Sequence, residues 1–519
     1  MTSHSSIGTV VSDQDTPTFE TVRIKLKAGF EVKPGTLIRV PLTRREQSVL
    51  IGRVRSAYER NPNESPEDIN VRETLGLAPN YPGEKDSTTI YRLIEAELIE
   101  EIIGSDIRSP QTLPNSGAEV FIAEQHEILK TLGLVKDRDT GLHVGETTSG
   151  TEMDIVLKRE AIQRHMFICG TTGSGKSYAM GVVAEELVKH KLPVVFIDTQ
   201  DEYSVLVQKL GGQVIEPGKD VKLRISSLTE SEFLDLLPDA MKKGSSLQCD
   251  IATKAFGELQ ADIKGGELAK FNLSDVIERI KEVAPKLCSK EGDVPRVTDA
   301  TIRRTEIINR HRIFGSGSEE DNKKLVADWR KLLFPCLAIN CKRLTSTQLQ
   351  SVATAVLREL QDLRLRGHIP PYAAVIDEAH LFVPEGEGSA CKQIIREGVR
   401  IGRHHGIAII LMTQSPVDID KRAIRQCNTR LVFALEPDQL DSIRGVKADA
   451  SEELLRALPK MPQGVCLLSG TYESVKHTIP IKIRIRHTDD SEGGKTPPIF
   501  REMTEKWIPE ISRLKRETK

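Results

Sequence analysis

Hydrophobic and polar residues alternate along the first part of the chain, in short runs separated by turn residues. Five such runs predict β-strands: FETVRIKLKA, TLIRVPL, SVLIGRVRSAY, TTIYRLIEAELIEEI and AEVFIAE. Turn signals such as Lys33-Pro34-Gly35 and Pro62-Asn63 lie between them. This spacing predicts a small β-barrel or sandwich over residues 1–150, with 60–87 as a long loop and the Gly/Thr-rich run 141–150 as the linker out of the domain.

From about residue 155, short apolar runs alternate with segments whose apolar positions recur at helical spacing. The apolar runs predict further strands: HMFIC, LPVVFID, AAVID, GIAIILMTQ, TRLVFAL and GVCLLSG. Strands that alternate with helices are typical of a parallel sheet flanked by helices. The pattern therefore predicts an α/β core over residues 151–226 and 367–485, a helical insertion at 227–366 and a basic tail at 486–519.

The strongest motif in the chain follows the first of these strands and matches G-x-x-x-x-G-K-[ST]. Its residues are Gly170, Thr171, Thr172, Gly173, Ser174, Gly175, Lys176 and Ser177. The glycines let backbone N–H groups surround a phosphate, Lys176 can reach the β- and γ-phosphates of ATP, and Ser177 can ligate Mg²⁺. A plain glycine-rich turn is the alternative, but the strand before the motif and the helix-forming segment after it favour a nucleotide site.

Three other predicted strands end in polar side chains suited to phosphate hydrolysis. AAVI is followed by Asp377, which we expect to hold Mg²⁺ through water, and by Glu378, which we expect to polarise the attacking water. Because the carboxyl ends of parallel strands meet at one sheet edge, Gln414 is expected to sense the γ-phosphate or orient water, and Asp198 to ligate or order the metal shell. The alternatives are a helix N-terminus with acidic residues for the Asp-Glu pair and plain strand caps for the other two.

The segment REGVRIGRHH supplies arginines at helical spacing before the strand GIAIILMTQ: Arg396, Arg400 and Arg403. Hydrolysis requires a cation near the transferred phosphoryl group, and an arginine donated by a neighbouring subunit couples hydrolysis to ring assembly. We expect Arg403 to be this residue, with Arg400 as the second candidate. A solvated helix face is the alternative for each arginine.

Composition narrows the class of protein without naming a partner. The 519 residues are 38% hydrophobic and 29% charged, and no window approaches the run of apolar residues that a membrane-spanning helix needs. The formal net charge of -2 gives no reason to expect a polyanionic partner from bulk charge, although local patches could bind one. The eight cysteines form no CxxC pair and the start has no apolar signal segment, so we expect a cytoplasmic protein with reduced thiols and no zinc ribbon.

The motifs GTTGSGKS, VVFIDTQDEY, VIDEAH and REGVRIGRHHGIAIILMTQSP, in this order after a β-rich segment, resemble the HerA family of hexameric ATPases, relatives of the FtsK DNA pumps. The resemblance implies a RecA-like P-loop NTPase core with an N-terminal β-barrel, an inserted helical bundle and a C-terminal extension that braces the adjacent subunit. It places the family's nucleotide residues on Lys176, Ser177, Asp198, Glu378, Gln414 and Arg403, and a further basic position on Arg164. One departure is DTQDEY in place of a DPHGEY-like turn, which leaves the roles of Asp201 and Glu202 open.

The resemblance further implies ATP and Mg²⁺ as ligands, and a homo-hexameric ring that pulls double-stranded DNA through its pore. Such rings work with a nuclease such as NurA in DNA end processing, or with a sirtuin-like or nuclease effector in phage defence, and nothing in this sequence selects among these partners. Candidate DNA-contacting residues are Lys242-Lys243-Gly244 and the arginines at 303, 304, 310 and 312, with solvated helix faces as the alternative.

Two other functions stay open at this point. One is a secretion- or conjugation-type ATPase that pumps protein or single strands at a membrane, although the chain lacks an anchor. The other is a hexameric scaffold that uses nucleotide as an assembly switch for a bound effector and hardly translocates.

Overall fold

The computed structural model of the protein describes residues 5–12, 15–42, 48–60, 91–238, 241, 246–325, 328–386, 390–444, 449–471 and 474–488. Most of the predicted loop at 60–87, the Lys242-Lys243-Gly244 segment and nearly all of the predicted tail at 486–519 lie outside these residues. In the described part of the chain, no helix is both long and apolar enough to cross a membrane.

The first seven strands form an antiparallel sheet that closes on itself. They are β1 (Gly8–Val11), β2 (Thr21–Leu26), β3 (Leu37–Pro41), β4 (Ser48–Arg60), β5 (Tyr91–Ile103), β6 (Asp106–Arg108) and β7 (Glu119–Ile122). The strand order is β2-β1-β7-β3-β4-β5, and β5 pairs again with β2, so six strands make a closed barrel with β6 attached to β5. Inward-facing apolar side chains such as Val22, Ile24 and Ile94 fill its interior. The prediction of a barrel or sandwich is thereby resolved in favour of the barrel.

The second sheet has eleven strands. They are β8 (Gly141–Thr147), β9 (Asp154–Lys158), β10 (Met166–Cys169), β11 (Val194–Asp198), β12 (Gln213–Ile215), β13 (Cys336–Asn340), β14 (Tyr372–Ile376), β15 (Ile407–Thr413), β16 (Thr429–Val432), β17 (Val465–Gly470) and β18 (Ile479–Ile483). Their order is β12-β13-β11-β14-β15-β10-β16-β17-β18-β8-β9. In this spatial order, the seven strands from β12 through β16 run parallel, whereas β17, β18, β8 and β9 pair antiparallel. The predicted α/β sheet is therefore confirmed for its parallel part.

Fourteen helices are described. They are α1 (Gln125–Leu132), α2 (Lys176–Lys189), α3 (Ser204–Lys209), α4 (Glu230–Leu236), α5 (Leu247–Gly265), α6 (Leu273–Leu287), α7 (Val294–Thr305), α8 (Glu319–Lys324), α9 (Trp329–Leu333), α10 (Ser346–Leu365), α11 (Ala390–His405), α12 (Lys421–Gln426), α13 (Leu440–Arg444) and α14 (Glu452–Ala457). Helix α2 packs in one apolar cluster against the large sheet, whereas α10 and α11 belong to the cluster on its other face. The parallel strands are therefore covered on both sides, as parallel sheets require.

The prediction of a linker at 141–150 is wrong, because most of this run is strand β8, which pairs with β9 and β18. Its apolar side chains Leu142 and Val144 are buried in the core of the large sheet. A Cβ atom on Gly145 would lie 2.3 Å from the Lys482 carbonyl oxygen, so this glycine marks a close approach of two strands.

The stretch at 227–366 contains helices α4–α10, but it also contains strand β13, which the sequence pattern did not predict. β13 pairs with β11 and β12 inside the parallel sheet. Its five residues are too few to show a strand period beside the long helical segments around them. Part of the predicted insertion is thus part of the core sheet, and an inserted helical bundle stays a prediction, as do the remaining domain boundaries.

Candidate nucleotide-binding site

The glycine-rich loop at 170–175 lies between β10 and the first turn of α2, at the carboxyl edge of the parallel strands. Gly173 has a φ of +77°, a conformation that glycine adopts without steric cost, and no atom lies within 4 Å of the place where a Cβ would be. The loop therefore presents backbone rather than side chains toward an open space. A backbone cradle at a helix N-terminus can bind a phosphate group.

The loop is held by hydrogen bonds to its own residues and to the strand beside it. The Thr171 N–H donates to the Ala434 carbonyl oxygen (2.8 Å), and Ser174 Oγ donates to the Thr171 carbonyl oxygen (2.7 Å). Lys176 Nζ donates to the same Thr171 carbonyl (2.9 Å). Burial lowers the pKa of Lys176, and the nearby carboxylates of Glu378 and Glu202 partly oppose that shift.

The turn after β11 is organised by Asp198, which is fully buried. Its Oδ1 accepts the N–H groups of Gln200 (3.3 Å) and Glu202 (3.0 Å), and its Oδ2 accepts the N–H of Tyr203 (2.9 Å). Burial raises the pKa of Asp198, while these backbone donors act in the opposite direction. Both carboxylate oxygens therefore hold the turn, and this geometry favours an anchoring function over the predicted ligation of a metal.

Two side chains of this turn contact the Asp377-Glu378 pair that follows β14. Thr199 Oγ1 donates to Asp377 Oδ2 (2.9 Å), and Gln200 Nε2 donates to Glu378 Oε1 (3.2 Å). These contacts could not be assigned from the sequence, because they link residues that are 178 positions apart. The only sequence feature that drew attention to this turn is its departure from the DPHGEY-like pattern.

Glu202, whose role the sequence left open, contacts the P-loop. The Ser177 hydroxyl donates a hydrogen bond to Glu202 Oε2. Between Gln200 and Glu202, Asp201 has a φ of +68°, which explains why a glycine suits the equivalent place in a DPHGEY-like turn. Aspartate is one of the few other residues that tolerate this conformation.

Asp377 and Glu378 follow β14 and lie beside the P-loop, as predicted. Burial, together with the negative charges of Glu378 and Glu202, raises the pKa of Asp377 to about 8. Glu378 has a φ of +48°, a strained conformation for a residue with a side chain, and such strain is concentrated at functional sites. His380 Nδ1 lies 3.4 Å from Glu378 Oε2.

Gln414, at the end of β15, connects the two motifs. Its Nε2 donates to Glu378 Oε1, and its Oε1 accepts from the hydroxyl of Thr172 in the P-loop. The sheet-edge argument thus placed this side chain correctly beside the phosphate-binding loop. Its function in hydrolysis stays a prediction.

Arg164 lies outside this cluster, so its predicted place among the nucleotide-binding residues stays a prediction. It precedes β10 whereas the P-loop follows β10, and a four-residue strand spans roughly 13 Å. Arg403 likewise precedes β15, whereas Gln414 follows it. β10 and β15 are neighbouring parallel strands, so both arginines precede the amino ends of adjacent strands, at the sheet edge opposite the P-loop. Burial lowers the pKa of Arg164, and the positive charge of Arg403 adds to that shift. Arg400 is exposed and only 3.9 Å from Glu397.

Residues 142–360 match a family model described as "Helicase HerA, central domain". The DNA double-strand break repair helicase HerA of Sulfurisphaera tokodaii is 22% identical over 80% of this chain and 81% of its own length. A probable helicase of Methanocaldococcus jannaschii is 22% identical over 91% of this chain and 90% of its own length.

These matches support a HerA-family ATPase. The region that the family model matches begins within β8 and ends within α10, so it contains the P-loop and the turn after β11. Among solved structures, the match to VirB4 of Thermoanaerobacter pseudethanolicus spans 67% of this chain and 97% of the VirB4 chain, with a TM-score of 0.51 and 15% identity. That likeness concerns the fold alone.

Proposed function

We propose that this HerA-family ATPase is a motor that couples hydrolysis of Mg·ATP to movement along double-stranded DNA. The observation that carries the proposal is the convergence of a P-loop lysine, a paired Asp-Glu and a bridging glutamine at one edge of the parallel sheet. DNA as the substrate is supported by the names of the relatives, several of which are DNA double-strand break repair helicases. A hexameric ring is inferred from the family resemblance.

The chemistry of the donor set fits a magnesium ion. Ser177, Glu202 and Asp377 supply hydroxyl and carboxylate oxygens, the ligand types that Mg²⁺ prefers. The raised pKa of Asp377 shows that burial and crowded carboxylates disfavour its charge, and a divalent cation would relieve both effects. No group of three or more His, Cys, Asp or Glu side chains that could hold a metal ion occurs among the described residues, and Mg²⁺ is usually held by one or two carboxylates plus substrate phosphates. When bound, Mg²⁺ neutralises charge that develops on the phosphates.

The residues around this site divide the remaining tasks. Lys176 and the backbone N–H groups of the P-loop bind the phosphates, and Glu378 accepts a proton from the attacking water. Gln414 contacts both Glu378 and Thr172, so it is placed to report the state of the P-loop to the base. Asp198 keeps the neighbouring turn in position.

We assign the two arginines at the far edge of the sheet to the nucleotide of a neighbouring subunit. Arg164 and Arg403 cannot serve their own P-loop because the sheet lies between them and that loop. In a ring, each such edge could face the site of the next subunit. Arg403 is then the arginine that stabilises the transferred phosphoryl group, with Arg400 as the second candidate.

Mixing two inactive variants tests the ring and the shared site together. Lys176→Ala and Arg403→Ala should each lose ATPase activity, the second by about 10³-fold or more if its arginine acts on the transition state. A mixture should regain activity, because some interfaces then pair an intact P-loop with an intact arginine. Co-assembled mixtures that stay inactive would exclude Arg403, and full activity in a monomer would exclude the ring.

Movement along DNA is tested by stimulation of the ATPase and by displacement of a third strand from a duplex. Duplex DNA should stimulate hydrolysis more than single strands or unfolded protein, which separates this motor from a secretion- or conjugation-type ATPase. Glu378→Gln should abolish strand displacement. An ATP-bound Glu378→Gln protein that still activates its effector would support the scaffold instead. A nuclease or other effector partner, in DNA end processing or phage defence, belongs to the same proposal.

A further inference from the structure

Four consecutive side chains in the turn after β11 reach four different partners. The contacts are Thr199 with Asp377, Gln200 with Glu378, Asp201 with Lys342, and Glu202 with Ser177. Three of these partners lie in the nucleotide site, whereas the fourth, Lys342, lies outside it. The turn thus connects the phosphate-binding motifs to a surface that the proposed hydrolysis chemistry does not use.

The backbone of this turn is constrained, so its side chains are not independent of one another. Asp198 accepts three backbone N–H groups from the turn, and Asp201 is held in the left-handed region with Ser204 Oγ donating to its Oδ1. A change at Asp201 is therefore transmitted through one short backbone segment to Gln200. Elements with few alternative arrangements carry coupling between sites.

Lys342 and Arg343 follow β13 at the same sheet edge as the P-loop and point into solvent. Their side chains are 61% and 84% exposed. Lys342 Nζ is 4.0 Å from Asp201 Oδ2, and an Arg343 nitrogen is 4.0 Å from a Glu216 oxygen. Exposed pairs at this distance are weak, so a phosphate could displace either carboxylate.

The other end of the connection is Glu378, whose Oε1 accepts hydrogen bonds from both Gln200 and Gln414. Glu378 Oε2 accepts no hydrogen bond from the described residues, so the two amides on Oε1 set the direction in which this free oxygen points. The contact from Gln200 therefore restrains the orientation of the proposed base. Gln200 itself is exposed at the sheet edge, so it can leave Glu378 without disturbing the core.

We propose that the turn at 199–202 makes ATP hydrolysis depend on DNA: backbone phosphates of duplex DNA bind Lys342 and Arg343, Lys342 leaves Asp201, and Gln200 releases Glu378. Gln200 is a positioning residue in this scheme, because it acts through Glu378. The inference rests on the proposed function, since it takes duplex DNA as the substrate. Contacts from lysine and arginine to phosphate need no base-reading motif, which suits a motor that follows any sequence.

The first experiment removes the pair between Lys342 and Asp201. Lys342→Ala and Asp201→Asn should each raise the ATPase rate without DNA by about two- to fivefold, the factor expected of a weak exposed ion pair. Stimulation by a 40-base-pair duplex should fall in proportion for both variants. Lys342→Ala, but not Asp201→Asn, should also flatten the salt dependence of duplex binding. Lys323→Ala, at an exposed lysine of α8, is the matched control and should leave both rates unchanged.

The second experiment addresses Gln200 directly. Gln200→Ala should raise the rate without DNA by about tenfold, the factor expected when a carboxylate loses one hydrogen bond, and should bring stimulation close to one. Gln200→His, which keeps an N–H donor, should restore a low rate and the stimulation. The combination of Gln200→Ala with Lys342→Ala should show no further rise, because both changes remove the same restraint.

Several results would overturn the inference. Equal loss of the basal and stimulated rates in Gln200→Ala would show that Gln200 supports activity rather than restrains it. Unchanged stimulation in Lys342→Ala would separate the cations from the switch while leaving a DNA motor in place. A parent protein that duplex DNA does not stimulate would remove the proposed function and this inference together. Stimulation by an acidic protein and not by duplex DNA would identify a protein as the occupant.

Discussion

Two regions of the molecule bury charged side chains from distant parts of the chain, but they do so with opposite outcomes. At the junction between the barrel and the large sheet, Arg53 of β4 is fully buried and donates to Glu97 Oε2 (2.8 Å), to the Asp449 carbonyl (2.6 Å) and to the Thr478 carbonyl (2.8 Å). His477 completes the cluster, with Nδ1 2.8 Å from Asp449 Oδ2. We call these residues the junction cluster.

The pKa values of the two regions show the difference. In the junction cluster, burial tends to raise the pKa of Asp449, but His477, Arg53 and Thr478 outweigh it and leave that pKa well below its usual range. Burial tends to lower the pKa of His477, yet Asp449 and Glu100 raise it to about 9. At the nucleotide site, in contrast, burial wins for both charge signs and shifts Asp377 and Lys176 toward their neutral forms.

This contrast separates a structural cluster from a functional one. Each charged side chain of the junction cluster has a partner within the chain, as expected of an interface with a structural role. The nucleotide site keeps charges that its own residues do not fully compensate, which is typical of sites that bind charged ligands. Changes at the first region should therefore alter stability, and changes at the second should alter activity.

The largest effect is expected for Lys176→Ala, which should lower the ATPase rate by about 10³-fold or more, because a preorganised charge next to the phosphates is lost. The melting temperature should stay within error, since Lys176 contacts the loop rather than the core. Lys189→Ala, near the end of the same helix, is the control and should keep the parent rate. Hydrolysis by Lys176→Ala within a few-fold of the parent would refute the assignment of the site.

The next largest effect is expected for Glu378→Gln. The amide cannot accept a proton from water, so turnover should fall by about 10²-fold or more. Nucleotide binding should persist because Lys176 and the loop backbone are unchanged, and a fluorescent-nucleotide titration measures this separately. Equal loss of binding and turnover would give Glu378 a structural role.

The P-loop and the contact between Gln200 and Glu378 differ in how far the sequence could predict them. The P-loop depends on local spacing, so eight adjacent residues were assigned together, and the barrel strands showed their own alternation. Gln414 was found by the rule that parallel strands end at one edge. The contact of Gln200 with Glu378 depends on the exact approach of two turns, and no local pattern encodes it.

The junction cluster was missed for the same physical reason. Arg53 contacts Asp449 and Thr478 across about 400 residues of sequence. From the sequence alone, a single arginine in a strand is expected to be exposed to solvent. The glycines of strand β8 favour a linker when the sequence is considered alone. In the structure they permit close pairing with the neighbouring strands. Long-range pairing thus hides both elements from a single sequence.

A change at the junction should affect stability far more than catalysis. Arg53→Met removes the positive charge that pairs with Asp449 and Glu97, and breaking such a buried pair costs about 3–5 kcal/mol in the free energy of unfolding. Arg55→Met, two residues along the same strand, is the matched control because its side chain is 30% exposed and should cost much less. Chemical denaturation compares the two. A parent-like midpoint for Arg53→Met would show that the cluster does not stabilise the junction.

The pH dependence of the junction should have a definite sign. Because the pKa of His477 is raised from 6.5 to about 9 on folding, its contribution is fully present below pH 6.5 and is lost as the pH rises through 9. The contribution is about 3 kcal/mol. The difference in stability between the parent and His477→Gln should therefore shrink from pH 6.5 to pH 10. A constant difference across this range would mean that His477 does not gain a proton on folding.

The smallest effect is expected at Asp377. Loss of a charge should lower the free energy of unfolding at the junction cluster but raise it at the nucleotide site. The folded protein raises the pKa of Asp377 from 3.8 to about 8, so keeping an ionised carboxylate there costs stability as the pH rises from 4 toward 8. Asp377→Asn has nearly the same shape and no charge, and should raise the free energy of unfolding at pH 7.5, although the loss of the contact to Thr199 offsets part of the gain. The gain should vanish near pH 4.

Ligand should reverse this order of stability. A ligand that binds only the folded protein stabilises it by RT ln(1 + [L]/Kd), so tighter binding gives more stabilisation. The same concentration of Mg·ATP should therefore raise the melting temperature of the parent by more than that of Asp377→Asn, which has lost a candidate metal partner. ATP with EDTA should stabilise both proteins to the same extent, because the P-loop is intact in each. A destabilised Asp377→Asn protein without ligand would show that the junction and the nucleotide site do not differ in the way that their pKa values indicate.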